Sequence, residues 1–472
     1  MDTADLPFTP IAELAPQIET GNVSPSDILD ACVHKIEKYD SILNAYITKT
    51  FELAREYVGV LEKELECGIR RGPLHGIPIA LKDLIDLEGF PSTAGSSILK
   101  DCISSQTAHC AHRLMDAGAI ILGKTNLQEF ARGGTGANSF FGPTKNPWDL
   151  ERSPGGSSSG SGASVAAGMS VAALGTDTGG SVRIPASYCG LVGMRSTFGR
   201  VSCSGVLPLG LSFDNVGPLT RTVEDAAIVL QAMAGPNSDT LANEDSHPPN
   251  FMVGLGTGIE GIKLGVPVNY FWPGYEAEVE DIVREAISEF KKFGAKLVEV
   301  KIPWAELGAV AYAAVVGPES AEIHRENLRE RRDEYTGPGA DFFEESLFIP
   351  GWRYVQAQKA RTYFMRQAAE VFRSVDAILT PTTPTAAPTI KDCLDGTKTW
   401  SATSHCTVPF SSIGCPALQV PCGFTGSGLP VGLQIAAKWG EEALCFQIGR
   451  VYEDAHPWWR RRPQEPAMEA EE

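Results

Sequence analysis

An α/β fold, with a central mixed and largely parallel β-sheet flanked by helices on both faces, follows from three features of this sequence. Strand-length apolar runs alternate with stretches of helical periodicity. One run, Ile77-Pro78-Ile79-Ala80-Leu81, ends on Lys82-Asp83, and the carboxyl ends of strands are where open α/β sheets keep their chemistry. The chain is also long and apolar enough to bury a substantial core, with 472 residues of which 43% are hydrophobic and 21% charged.

The elements follow in chain order. Ser24-Pro25-Ser26-Asp27 offers an N-cap, a first-turn proline and an acid at the third position, and Ile28, Cys32, Ile36 and Tyr39 then recur at three- and four-residue steps. That spacing predicts an amphipathic helix, and a second is expected from about Thr50 to Glu66. Residues 1–70 are read as a helical segment packing on a main domain of residues 71–465. The register changes at Gly72-Pro73-Leu74-His75-Gly76, before the strand that ends on Lys82. Further strands are expected at Ala119-Ile120-Ile121-Leu122 and Val171-Ala172-Ala173-Leu174. From about Pro236 to Gly261 the chain reads as a polar loop. A β-α-β stretch then runs through Lys263 to Pro267, a helix from about Glu276 to Phe293, and Ala295 to Val300, either continuing the sheet or capping it. It opens a variable region of about 237–375. A strand at Ala377-Ile378-Leu379 leads into a Thr/Pro loop, and 466–472 form an acidic tail.

Charge and cysteine usage narrow the classes of function. Forty Lys plus Arg stand against 58 Asp plus Glu, a net charge of −18. Such a surface repels nucleic acid and anionic membranes, and the cluster Arg460-Arg461-Arg462 reads as part of a solvated tail. The opening residues lack a basic and apolar leader, and no run of ~18 apolar residues occurs, so a cytoplasmic protein is expected. Eleven scattered cysteines without a C-x-x-C pair read as reduced and buried, and neither a metal nor a cofactor is implied.

The chemistry concentrates between Ser153 and Thr197, where Gly155 to Ala163 and Gly175 to Pro185 are rich in glycine and hydroxyl side chains. A linker would not enclose Val165-Ala166-Ala167 and Val171-Ala172-Ala173-Leu174, so these glycines shape backbone inside a packed region. The span Gly118 to Thr125 formally fits a phosphate-binding loop, but its inner residues are the apolar run just read as a strand. Gly156 to Gly160 formally fits a nucleophile elbow centred on Ser158, a match that a Gly/Ser run makes easily by chance.

Together, the Gly76-Ile77-Pro78 strand with Lys82, the Gly/Ser stretch, and Gly428-Leu429-Pro430-Val431-Gly432-Leu433-Gln434 closely resemble the amidase signature enzymes over nearly the whole chain. The resemblance implies that fold and a metal-free hydrolysis of carbon–nitrogen amide bonds. It implies Ser181 as nucleophile, Ser157 as relay after a cis Gly156-Ser157 bond, and Lys82 as base. Elementary chemistry agrees, because a serine needs a base and a lysine serves only when burial lowers its pKa from ~10.4. Thr178-Gly179-Gly180-Ser181 would supply the oxyanion hole through backbone N–H groups, each typically worth ~2.7–4 kcal/mol. Asp177 and Arg183 read as a structural clamp around the nucleophile. Ser159 stands where many members of that family carry glycine, which adds a hydroxyl near the relay.

Two functions compete. The first is a stand-alone amidase, monomer or homodimer, acting only on a small neutral and partly aromatic amide, aryl amide or carbamate. Its warrant is the density of bulky apolar side chains in the expected substrate walls, with Arg132, Gly133, Gly134, Tyr312, Phe348 and Trp352 as lining residues. Arg132 is a counter-signal, since a guanidinium recruits carboxylates. The alternative is the amidase-like subunit of a tRNA-dependent amidotransferase, passing ammonia to a tRNA-bound aminoacyl group. Against it, Ala131-Arg132-Gly133-Gly134 departs from the Met-Gly-Ser-Ser type associated with those subunits.

Overall fold

The computed structural model describes residues 2–138, 140–235, 248–336, 339–396 and 400–466. Among them, eleven strands form one mixed sheet. In chain order they are β1 (Tyr46–Lys49), β2 (Pro78–Lys82), β3 (Ile120–Thr125), β4 (Ala172–Thr176), β5 (Val192–Arg195) and β6 (Val216–Thr220). Then come β7 (Lys263–Pro267), β8 (Lys296–Val300), β9 (Ala377–Pro381), β10 (Ala417–Phe424) and β11 (Pro430–Ala437). Across the sheet the order is β1-β3-β2-β4-β6-β5-β10-β11-β9-β7-β8. Parallel pairs join β3 to β2 to β4 on one side and β9 to β7 to β8 on the other, with antiparallel pairs between. The β-α-β stretch therefore extends the one sheet to its edge.

Helices cover both faces, and β10 shows why. Successive strand residues point to opposite sides. Leu418 and Val420 meet Gly449 of the helix Glu442–Ala455, while Gln419 lies on the other side with Ser187 of the helix Arg183–Cys189. The N-terminal helix Pro25–Leu43 starts where its sequence directs, with a complete Ser24/Asp27 capping box. It buries Ile28, Cys32, Ile36 and Tyr39, the stripe its periodicity predicts.

Two expectations about ends are corrected or fall away. The arginines near the C-terminus stay exposed, as expected, but they are not a free tail: Arg461 stacks on Phe424, and Arg462 pairs with Asp5 and lies over Phe8. Beyond them, Glu465 binds Lys35, Lys38 and Tyr39. Aromatic partners and opposite charges from the N-terminal segment hold this stretch against the body. The acidic residues Glu469, Glu471 and Glu472, and the polar stretch 236–247, lie outside the described residues.

Candidate active site

β2 lies between two parallel neighbours, and that position buries its last residue completely. Lys82 is inaccessible, with Nζ 2.6 Å from Ser157 Oγ and 2.8 Å from Thr176 Oγ1. Burial disfavours its ammonium and lowers its pKa from 10.5 to about 7, against the opposing pull of Asp214 and Asp177. Its sequence neighbour Asp83 is not its partner. Asp83 pairs with Lys124 of β3 at 3.0 Å, and Thr93 also donates to it.

Ser157 follows a cis Gly156–Ser157 bond. The loop after β3 encloses it: Gln128 N donates to Ser157 O at 3.1 Å, and Gly156 N donates to Gly134 O at 2.9 Å. Gln128 Oε1 in turn accepts from Thr135 N and Gly136 N at 3.1 Å, which closes that loop. The helix Ser159–Ala166 is buried throughout, and a Cβ at Gly160 would stand 2.2 Å from Ala45 O. Crowding by neighbouring backbone is thus one reason for the small residues here.

Ser181 lies on the turn that joins β4 to the helix Arg183–Cys189. Of the three resemblance-derived residues it alone keeps any accessible surface, at 4% against 0% for Lys82 and Ser157. Gly180 before it has φ +138, and a Cβ there would meet Thr407 Oγ1 at 2.3 Å. Thr407 Oγ1 donates to Gly179 O at 2.6 Å, and Thr178 Oγ1 donates to Asp214 Oδ1 at 2.6 Å. Beneath the turn, Asp177 receives Arg183 through two bonds of 2.9 Å and also faces Arg195. Although burial alone would raise it, these guanidinium groups hold the Asp177 carboxyl well below its ordinary range.

The expected walls divide. Arg132 lies on the loop that encloses Ser157 and stacks on Phe342 at 3.8 Å, and a Cβ on Gly133 would collide with Gln128. Tyr312 is buried against Phe213, its ring 5.2 Å away, and the charge of Arg132 acts on its hydroxyl. Phe348 and Trp352, by contrast, are 81% and 66% exposed. They are surface residues of the segment around the helix Gly351–Val371, whose inward side presents Tyr354 and Arg361 instead. Phe343 is core, stacked on His324. The apolar density that suggested an aromatic substrate is therefore divided between interior and outer surface. Sequence reasoning did not single out Thr176, Gln128, Asp214 or Thr407. Thr176 sits inside the Gly175 to Pro185 motif and was within reach; the others meet the site only through folding.

These elements are shared with known proteins. A family model described as Amidase matches residues 27–446, and the chain belongs to the amidase family, hydrolases of amide carbon–nitrogen bonds. It is 38% identical to the A subunit of the glutamyl-tRNA(Gln) amidotransferase of Moorella thermoacetica, over 96% of this chain and 97% of that one. The solved structure of the corresponding subunit from Thermotoga maritima matches with a TM-score of 0.84 and 32% identity, covering 98% and 99% of the two chains. A structure from work on a vestigial protein complex and the origins of an s-triazine catabolic enzyme matches at 0.89 and 33%, covering 95% and 99%.

These likenesses correct two expectations. A stand-alone amidase for a small neutral, partly aromatic substrate is overturned in favour of the alternative reading, because relatives 36–38% identical over 95–96% of this chain are amidotransferase A subunits. The expectation of a monomer or homodimer with only a small-molecule substrate and no nucleic acid falls with it. The physical reason is that net charge describes this chain's own surface, whereas one member of an assembly can leave polyanion binding to its partners.

Proposed function

We propose that this chain is the amide-hydrolysing subunit of a tRNA-dependent amidotransferase, releasing ammonia from the side-chain amide of glutamine for an aminoacyl group held on tRNA by a partner protein. The observation that supports this most is the likeness to the Moorella amidotransferase protein over 95% or more of both chains. A cytoplasmic location goes with it. Departure of the Ala131-Arg132-Gly133-Gly134 stretch from the Met-Gly-Ser-Ser type then concerns how substrate is held rather than which bond is broken.

In this reading Ser181 attacks the amide carbon while its proton passes to Ser157, and Ser157 gives its own to neutral Lys82. Backbone N–H groups of the turn Thr178 to Ser181 face the developing oxyanion. Collapse of the tetrahedral intermediate returns a proton through Ser157 to the leaving nitrogen, so ammonia departs and a glutamyl ester remains on Ser181. Water then hydrolyses that ester by the same relay. Arg132 is the cation that we pair with the substrate carboxylate, beside Tyr312. Activated esters and carbamates form the same kind of acyl-enzyme, and their slow hydrolysis is a side reaction of this chemistry.

Ammonia release from glutamine, measured with the chain alone and then with the other amidotransferase subunits and glutamyl-tRNA, tests the reading. Release should rise when partners and charged tRNA are supplied. A chain that stays inert to glutamine in every combination, yet hydrolyses simple amides, would contradict it.

A further inference from the structure

Three donors converge on the Asp214 carboxylate, at the start of the stretch leading into β6. Thr178 Oγ1 donates to Oδ1 at 2.6 Å, and the backbone N–H groups of Leu209 and Gly210 donate to Oδ2 at 2.8 and 3.1 Å. One carboxylate thereby ties the loop of residues 209–214 to the turn that carries Ser181. The next residue continues the contact, since Asp177 N donates to Asn215 O at 2.7 Å. The loop is itself anchored from outside: Ser212 N donates to Glu319 at 3.0 Å, and Arg361 donates to Ser212 O at 2.9 Å.

The charges around Lys82 are unequal. Two aspartates act on it, Asp214 more strongly than Asp177. The charge of Asp177 is matched by Arg183 and Arg195, and that of the adjacent Asp83 by Lys124. Asp214 makes no ion pair among the described residues, and its donors are neutral hydroxyl and amide groups. Burial pushes the Asp214 carboxyl up, while those same hydrogen bonds, and more weakly the charge of Arg195, hold it towards the ionised form.

We propose that Asp214 is a positioning residue for the hydrolytic site: it fixes the oxyanion turn through Thr178 and supplies the larger of the two aspartate charges that act on Lys82. The inference rests on the Ser181–Ser157–Lys82 reading but not on the identity of the substrate. Two consequences separate it from a purely structural role. Removing the charge while keeping the shape should ease deprotonation of Lys82, so the pH at which the nucleophile becomes active should fall. Removing the Thr178 hydroxyl alone should slow the chemistry and leave that pH where it is.

The test uses a fluorophosphonate probe, which labels an activated serine whatever the natural substrate. Its rate of reaction at Ser181 is followed against pH for the full chain, Asp214→Asn and Thr178→Val, alongside thermal melting. The wild-type rate should rise through a midpoint near about 7. Asp214→Asn should move that midpoint to lower pH and lower the plateau, and Thr178→Val should lower the plateau by roughly tenfold with the midpoint unmoved. A folded Asp214→Asn protein with the wild-type midpoint would overturn the proposal. So would Thr178→Val with an undiminished plateau, a readout that remains if Asp214→Asn does not fold. A wild-type chain that the probe does not label at Ser181 would remove the relay on which the proposal stands, whereas failure with glutamine alone would leave it intact.

Discussion

At the scale of single residues, Lys82 links the proposed catalysis to stability. As the base of the proposed relay it must be neutral, so turnover should rise with pH through about 7, the value to which burial lowers it. Between that pH and the ordinary lysine range near ~10.4 the unfolded chain binds a proton that the native chain does not, so stability attributable to this group increases as pH rises across that window. At neutral pH the residue is therefore a cost that the fold carries for its chemistry. Lys82→Met should abolish hydrolysis yet melt no lower than wild type at pH 7, with any advantage shrinking towards pH 10. Ser181→Ala should lose at least ~10³-fold in kcat without loss of stability, since members of one relay fail together. A Lys82→Met protein that hydrolyses at near wild-type rate, or a profile flat from pH 6 to 9, would contradict this assignment.

Among elements, the junction of β2 and β3 decides where Lys82 points. The buried Asp83–Lys124 pair joins the ends of those strands, with Lys124 also donating to Pro91 O at 2.9 Å and Ser92 Oγ at 3.0 Å. Lys124→Met would strand the Asp83 carboxylate in the interior, and we expect it to lower the unfolding free energy by about 3–5 kcal/mol in denaturant titrations. A loss under about 1 kcal/mol would mean that Asp83 finds other compensation. β2, β3, β4 and β9 were legible in the sequence because each carries a compact apolar run, and β7 and β8 because they flank a helical stretch in a β-α-β pattern. The central β5, β6 and the pairing of β10 with β11 were not. Pro218 sits inside β6, and Arg195, Gln419 and Gln434 are buried polar residues inside β5, β10 and β11. Hydropathy cannot foresee that Gln434 will accept from Arg183 at 2.6 Å and donate to Thr380 at 2.9 Å. The contact of Lys82 with Ser157 was foreseen through the motifs that surround both residues. Asp214 was not, because its bond to Thr178 joins two loops that only folding brings together.

For the whole molecule, the class of reaction was readable and the substrate was not, for reasons of geometry. Bulky apolar residues such as Tyr312, Phe348 and Trp352 looked like substrate walls, yet Tyr312 is interior while Phe348 and Trp352 face solvent. Periodicity within a helix says which residues share a face, but not whether that face meets core, cleft or water. Net charge misled in a similar way, since −18 is a sum over one chain and is silent on what an assembly binds. The most direct test of the proposed function follows one nitrogen atom. Glutamine labelled with heavy nitrogen in its side-chain amide is supplied to the full assembly with glutamyl-tRNA, and the aminoacyl group released from the tRNA is analysed by mass spectrometry. The expected result is labelled glutaminyl-tRNA that disappears with Ser181→Ala. Free labelled ammonia without any label on the tRNA-borne amino acid, or no release from glutamine at all, would contradict it.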